Sequence, residues 1–249
     1  MAQPASATSR YRSGWANTKT GQRDAFVEAP GKRMVDLGAL APLSEWESQA
    51  TGINDFGEVV GWFGFNPGSR AFLYSNGKAT ELPDLSSYDQ GGYSSPSGIN
   101  NEHQIVGTSY DTNGDTRAVL WQNGTITDLG TLGGPLAAAE AINGKGQIVG
   151  WAATNTGAAD FLDSNAAMTN VGPNNGGNNP ASINDAGAFV DAAAFIYSGG
   201  TFQNLNNLIP AGSPYQLRDA TAINDKSQIV VNAYDTATYQ NHALLLTPS

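Results

Sequence analysis

Cysteine is absent from this 249-residue chain, so no disulfide, thiolate metal site or thiol nucleophile is open to it. Histidine is nearly absent: His103 and His242 are the only two, which confines any imidazole chemistry to those places. Basic residues are scarce, 12 Lys and Arg against 22 Asp and Glu. The resulting net charge of −10 repels phosphate backbones and anionic membranes and leaves no basic stripe for nucleic acid. No apolar run approaches the ~18 residues of a membrane span, so no membrane insertion is expected. Met1 to Arg10 also lacks the apolar core of a signal peptide. Long helical periodicity is missing too, and Leu, Ile, Val, Phe, Tyr and Trp come in short bursts.

What the chain does have is turns and repetition. Thirty glycines and twelve prolines punctuate it. One phrase recurs five times: Gly52-Ile-Asn-Asp-Phe-Gly-Glu-Val-Val60, Gly98-Ile-Asn-Asn-Glu-His-Gln-Ile-Val106, Ala141-Ile-Asn-Gly-Lys-Gly-Gln-Ile-Val149, Ser182-Ile-Asn-Asp-Ala-Gly-Ala-Phe-Val190 and Ala222-Ile-Asn-Asp-Lys-Ser-Gln-Ile-Val230. Its asparagines, Asn54, Asn100, Asn143, Asn184 and Asn224, are 46, 43, 41 and 40 residues apart, a period of repeat architectures.

The copy at 97–134 shows the unit. Ser97-Gly98-Ile99 reads as a strand, Asn100 to His103 as a turn and Gln104 to Thr108 as the returning strand. A polar loop leads to a third strand, Arg117 to Trp121, and Asn123-Gly124 turns it into a fourth, Thr125 to Leu129. Gly57, Gly146 and Gly187 sit where the first hairpin asks for a left-handed residue, and His103 and Ser227 take the same place. Four antiparallel strands cannot cover both their faces alone, so successive copies must stack. The expected fold is an all-β propeller of four-stranded antiparallel blades, five of them, with six blades or an open ring as alternatives. In the five-bladed reading, residues 1–32 are a partial repeat or extension. Residues 33–249 form the propeller, closed when strand 33–40 completes the last repeat, 217–249.

The succession Ile-Asn-x-x-Gly-Gln-Ile-Val-Gly, Ala-Phe-Leu-Tyr, Asn-Gly and Asp-Leu-Gly-Thr-Leu-Gly-Gly resembles the HAF repeat family of bacterial extracellular repeat proteins, over residues 14 to 249. His242-Ala-Leu-Leu-Leu-Thr-Pro248 is similar to the phrase such proteins carry before a PEP-CTERM sorting segment. The resemblance implies export and an extracellular or cell-surface role, with the targeting segment lying outside this sequence. It implies no general activity. The family's His-Ala-Phe is never intact here: Asp24, Arg70, Arg117, Ala159 and Ala193 replace the His, and His242 is followed by Ala-Leu.

Neither histidine is accompanied by a Gly-x-Ser-x-Gly elbow, which speaks against a serine hydrolase. Asp36, Asp84 and Asp128 recur in fourth strands and read as repeated structural hydrogen bonds, not as a catalytic pair, which needs two different environments. Asp111-Thr-Asn-Gly-Asp-Thr116 spaces oxygens like a calcium loop, but its glycine is displaced and no distal glutamate follows, so it reads as a turn. Trp15, Trp62 and Trp151 are expected between blades, whereas Trp46, Tyr88, Tyr93 and Tyr215 fall in loops and are candidates for stacking on sugar rings. The expectation is a module without catalytic residues, metal or cofactor, whose partner is a protein or an extracellular glycan. A lectin-like or glycan-active propeller is the alternative, and self-association through unpaired blade strands is a third route.

Overall fold

In a computed structural model, residues 11–43, 46–64, 68–86, 92–174 and 179–248 are described, and they form six antiparallel sheets with no α-helix. Sheet A holds β1 (Arg12–Asn17), β2 (Arg23–Glu28) and β3 (Met34–Asp36). Sheet B holds β4 (Ser48–Ile53), β5 (Val59–Phe63), β6 (Arg70–Ser75) and β7 (Lys78–Glu81). Sheet C holds β8 (Ser94–Ile99), β9 (Ile105–Tyr110), β10 (Thr116–Gln122) and β11 (Thr125–Asp128). Sheet D holds β12 (Gly133–Ile142), β13 (Ile148–Thr154), β14 (Gly157–Asp163) and β15 (Met168–Pro173). Sheet E holds β16 (Pro180–Ile183), β17 (Phe189–Asp191), β18 (Phe195–Ser198) and β19 (Thr201–Asn204). Sheet F ends the series with β20 (Tyr215–Ile223), β21 (Ile229–Asp235) and β22 (Gln240–Leu246).

Neighbouring sheets meet mainly through their first three strands, while fourth strands lie apart, so the sheets fan out as propeller blades do. Each seam is an apolar cluster fed by both sheets. Between C and D, for example, Val106, Ala118 and Leu120 meet Ala139, Ile148 and Phe161. Among the described residues, no strand of sheet F pairs with one of sheet A, so the ring is not closed by strand exchange.

The hairpin phrase explains its own recurrence. In each copy the Asn side-chain oxygen accepts the backbone N–H groups two and four residues on, as Asn100 does from Glu102 and Gln104, both at 3.0 Å. Its Nδ2 is then free to donate to the Asn carbonyl of the next sheet: Asn54 to Asn100 (3.2 Å), Asn100 to Asn143 (3.0 Å), Asn143 to Asn184 (2.8 Å) and Asn184 to Asn224 (3.2 Å). A ladder of asparagines thus staples sheets B to F. A β-bulge in every first strand adds a second tie, since the bulged Thr51 and Ser97 donate to Pro96 and Ala139 of the following sheet, each at 2.7 Å. The expected left-handed positions are present at Gly57, Gly146, Gly187, His103 and Ser227.

The all-β propeller reading holds, and the count falls on its alternative of six: there are six sheets, because residues 12–36 form a sheet of their own. One expectation is corrected. Strand 33–40 does not complete the last repeat: β3 pairs with β2, Val27 opposite Val35. A turn at Ala29–Lys32 brings β3 to its chain neighbour, and closing so short a loop costs far less entropy than reaching the last repeat. By register, β1 to β3 are the second, third and fourth strands of a blade, with Gly14 opposite Phe26 as Gly61 is opposite Phe72. Sheet F has the first three strands and no fourth among the described residues.

Candidate functional site

The loop aromatics are not brought together. Trp46, Tyr93 and Tyr215 each stand at or just before the first strand of a sheet, hence on the same rim, but on sheets B, C and F. Tyr88 lies outside the described residues. Tyr93 stacks on Tyr110 at 4.7 Å, and Tyr215 leans edge-on against His242 at 5.7 Å within the packing between E and F, so both serve packing. Trp46 is 42% exposed, with its carbonyl anchored by Gln22 Nε2 at 2.9 Å.

Trp46 lines a cleft of about 400 Å³ with Pro42, Phe63, Arg70 and Glu81. Arg70 bonds Glu81 at 3.0 Å and Asp84 at 3.4 Å. Burial raises the Asp84 carboxyl, Arg70 opposes that and Glu81 adds to it. An aromatic face beside a planar cation and carboxylates suits a polyhydroxylated ligand, which offers an apolar ring face and a fringe of hydroxyls. Sequence reading reached Trp46 and missed Arg70 and Glu81, although Arg70 stands where the resembled family has its His.

The register also corrects the fourth-strand carboxylates. Glu81, not Asp84, is the counterpart of Asp36 and Asp128, since Glu81 opposes Phe72 as Asp36 opposes Phe26 and Asp128 opposes Val119. In sheets B and C this carboxylate pairs with the third-strand arginine, Arg70 or Arg117, the latter at 2.9 Å. Sheet A has Asp24 there instead; burial raises its carboxyl and Asp36 raises it further. Asp111 accepts N–H bonds from Asn113 (2.8 Å) and Asp115 (3.0 Å), as a turn residue does. Among the tryptophans the fully packed one is Trp121, whose Nε1 donates to the Pro83 carbonyl at 2.6 Å, while Trp15 is largely exposed under Arg23.

Two further places stand out. The face of sheet F that points away from E exposes Val230 (39%) and Leu245 (59%), although Val60, Val106, Val149 and Val190 at the same register are wholly buried. Beside them Arg218 lies over the Tyr234 ring at 4.3 Å, and Asp219, Asn232 and Asn241 line a polar hollow of about 480 Å³. The second place is the D–E seam, where buried carboxylates gather. Burial raises the Asp160 carboxyl to about 7, Asn174 opposes that and Asp191 adds to it. Burial also raises Asp191 and Glu140, against the hydrogen bonds each accepts. Among the described residues, no group of three or more His, Cys, Asp or Glu is arranged to hold a metal, and no helix is long and apolar enough to cross a membrane.

The sheets define the class: an all-β propeller built from a repeated four-stranded unit. No protein family and no curated protein matches this sequence. Among solved structures it is similar to the beta-propeller domain of the Trilobed protease from Pyrococcus furiosus, described as having an open velcro topology. The TM-score is 0.38 at 8% identity, over 96% of this chain and 92% of that one. A likeness of that degree says nothing about activity, and the fold rests on the sheets themselves.

Proposed function

We propose that this chain is a non-catalytic repeat module that assembles with further copies of itself in an extracellular or cell-surface setting. The supporting observation is the uncovered face of sheet F. In sheets B to E the residues at the same register, led by Val60, Val106, Val149 and Val190, are packed under the next repeat, and F leaves Val230, Ala243 and Leu245 in water. What fits such a face is what fits it elsewhere in the molecule, the leading face of another repeat sheet. Sheet A of a second copy carries one, with Phe26 in the place of Phe72 and the polar Arg12 and Glu28 on the same face. The extracellular setting rests on the resemblance to HAF repeat proteins. Light scattering across a concentration series tests the assembly. Mass should grow with concentration, and Val230→Asp should hold the chain monomeric; a monomer at every concentration sinks the reading.

The Trp46 cleft supports a second reading, a lectin-like contact with glycans. Binding on a glycan array that is lost in Trp46→Ala and in Arg70→Ala, in a chain that stays monomeric, would favour it over assembly.

A further inference from the structure

The seam between sheets D and E departs from the repeat at three positions, and each replacement is a carboxylate. Where third strands carry Ala71 and Ala118, sheet D carries Asp160. Where second strands carry Gly61, Gly107 and Gly150, sheet E carries Asp191. Where first-strand bulges carry Thr51 and Ser97, sheet D carries Glu140. Glycine is needed in sheets B, C and D because a Cβ would strike the carbonyl of Gln49, Ser95 or Ala138. In sheet E the first strand is only four residues long and begins at Pro180, directly opposite Asp191.

Strand alternation puts the two aspartates on the facing sides of one seam. Asp160 shares a face with Leu162, and Asp191 shares one with Phe189, and these faces pack together in the seam. Both residues are wholly buried, and each has one satisfied oxygen. Asn174 donates to Asp160 Oδ1 at 2.8 Å, and Asp191 Oδ1 accepts the N–H groups of Ala193 (2.9 Å) and Phe195 (3.0 Å). The other oxygen of each, Asp160 Oδ2 and Asp191 Oδ2, is buried with no partner. Glu140, by contrast, is held by Asn179 at 2.8 Å.

We propose that Asp160 and Asp191 together bind a hard divalent cation, with calcium as the matching ion. Two carboxylates in one apolar seam, each with an oxygen that no donor satisfies, are costly to bury. A cation placed between them satisfies both oxygens at once, whereas a single proton neutralises one. The donors are oxygens alone, with both histidines elsewhere, His103 on Glu58 and His242 in sheet F, which selects against softer transition metals. Two carboxylates suffice for calcium, because neutral carbonyl, amide and water oxygens complete its flexible shell.

The test is calorimetric titration of chelator-treated protein with calcium chloride at neutral pH, alongside thermal melts with and without the ion. One calcium per chain is expected, with a midpoint about 5–10 °C higher at calcium a hundredfold above its dissociation constant. Asp160→Asn with Asp191→Asn keeps the shape and the turn bonds, and should abolish both the heat and the shift. Asp160→Ala, the residue that other third strands carry, should do the same and provides a second folded variant. No calcium heat and no shift in the native chain overturns the proposal, including the case in which only acid stabilises it, which marks a pair sharing a proton. A calcium shift that persists in both variants overturns it as well, since the ion then sits elsewhere.

Discussion

Sheets C and F are spelled almost alike and live differently. Both begin with a bulged strand, turn at Ile-Asn and return through Gln-Ile-Val. In C the valine, Val106, is sealed under sheet D together with Ala118 and Leu120. In F the same register, Val230 with Ala243 and Leu245, faces outward. Asn100 is buried and donates to Asn143, whereas Asn224 is exposed and, among the described residues, its amide donates only to Gln228, at 2.9 Å. The repeat therefore specifies the sheet, and the neighbour decides what each residue of the sheet is worth.

The largest expected contrast comes from charge in the seam. Val106→Asp should destabilise by about 4 kcal/mol or more, while Val230→Asp, in dilute monomer, should cost under about 1 kcal/mol; urea melts compare them. Equal losses would mean that F is covered in solution. Next comes the asparagine ladder. Asn100→Ala strips partners from two N–H groups and from the Asn143 carbonyl and should cost about 2–3 kcal/mol, against about 1 kcal/mol for Asn224→Ala.

A smaller difference is acid sensitivity. Sheet B has Glu58 where C, D and F have Gln104, Gln147 and Gln228. Burial raises the Glu58 carboxyl, but hydrogen bonds from His103, Asn54 and Ser75 outweigh it and leave it below its ordinary 4.5. A depressed carboxyl contributes stability that is complete above its unfolded value and is lost as pH falls through its folded one. Stability should therefore decline below about pH 4.5, and Glu58→Gln should flatten that part of the curve.

The smallest effect concerns the hairpin turn. Ser227 has φ 56° and His103 has φ 58°. Ser227→Gly should stabilise by about 0.5–1 kcal/mol, since only glycine holds that conformation without strain. His103→Gly should gain less, because the His103 ring also bonds Glu58 at 2.6 Å and stacks on Phe56. Matched chemical melts would separate the two, and a lower midpoint for Ser227→Gly would refute the strain argument.

Much of the site was less legible than the sheets. Trp46 could be picked out as a loop aromatic, but its partners Arg70 and Glu81 come from later strands and look, in a line of text, like ordinary repeat positions. Asp160 and Asp191 depart from the Ala and Gly of other repeats, but the sequence reading did not single them out. Nothing local says that they share a seam, because they belong to different sheets. The place of β3 was misread for a related reason: the register count permits either edge, and chain entropy chose the near one.

The sequence alone determined the unit, because hairpin turns, bulges and strand alternation are set by residues a few positions apart. The Ile-Asn turn, its left-handed fourth residue and the Asn-Gly return needed nothing distant. Only the tertiary structure decided how many sheets stand in the series, which carboxylates are buried together and which sheet is left bare. Those depend on contacts between residues some forty positions apart, where burial and pairing are properties of two sheets at once.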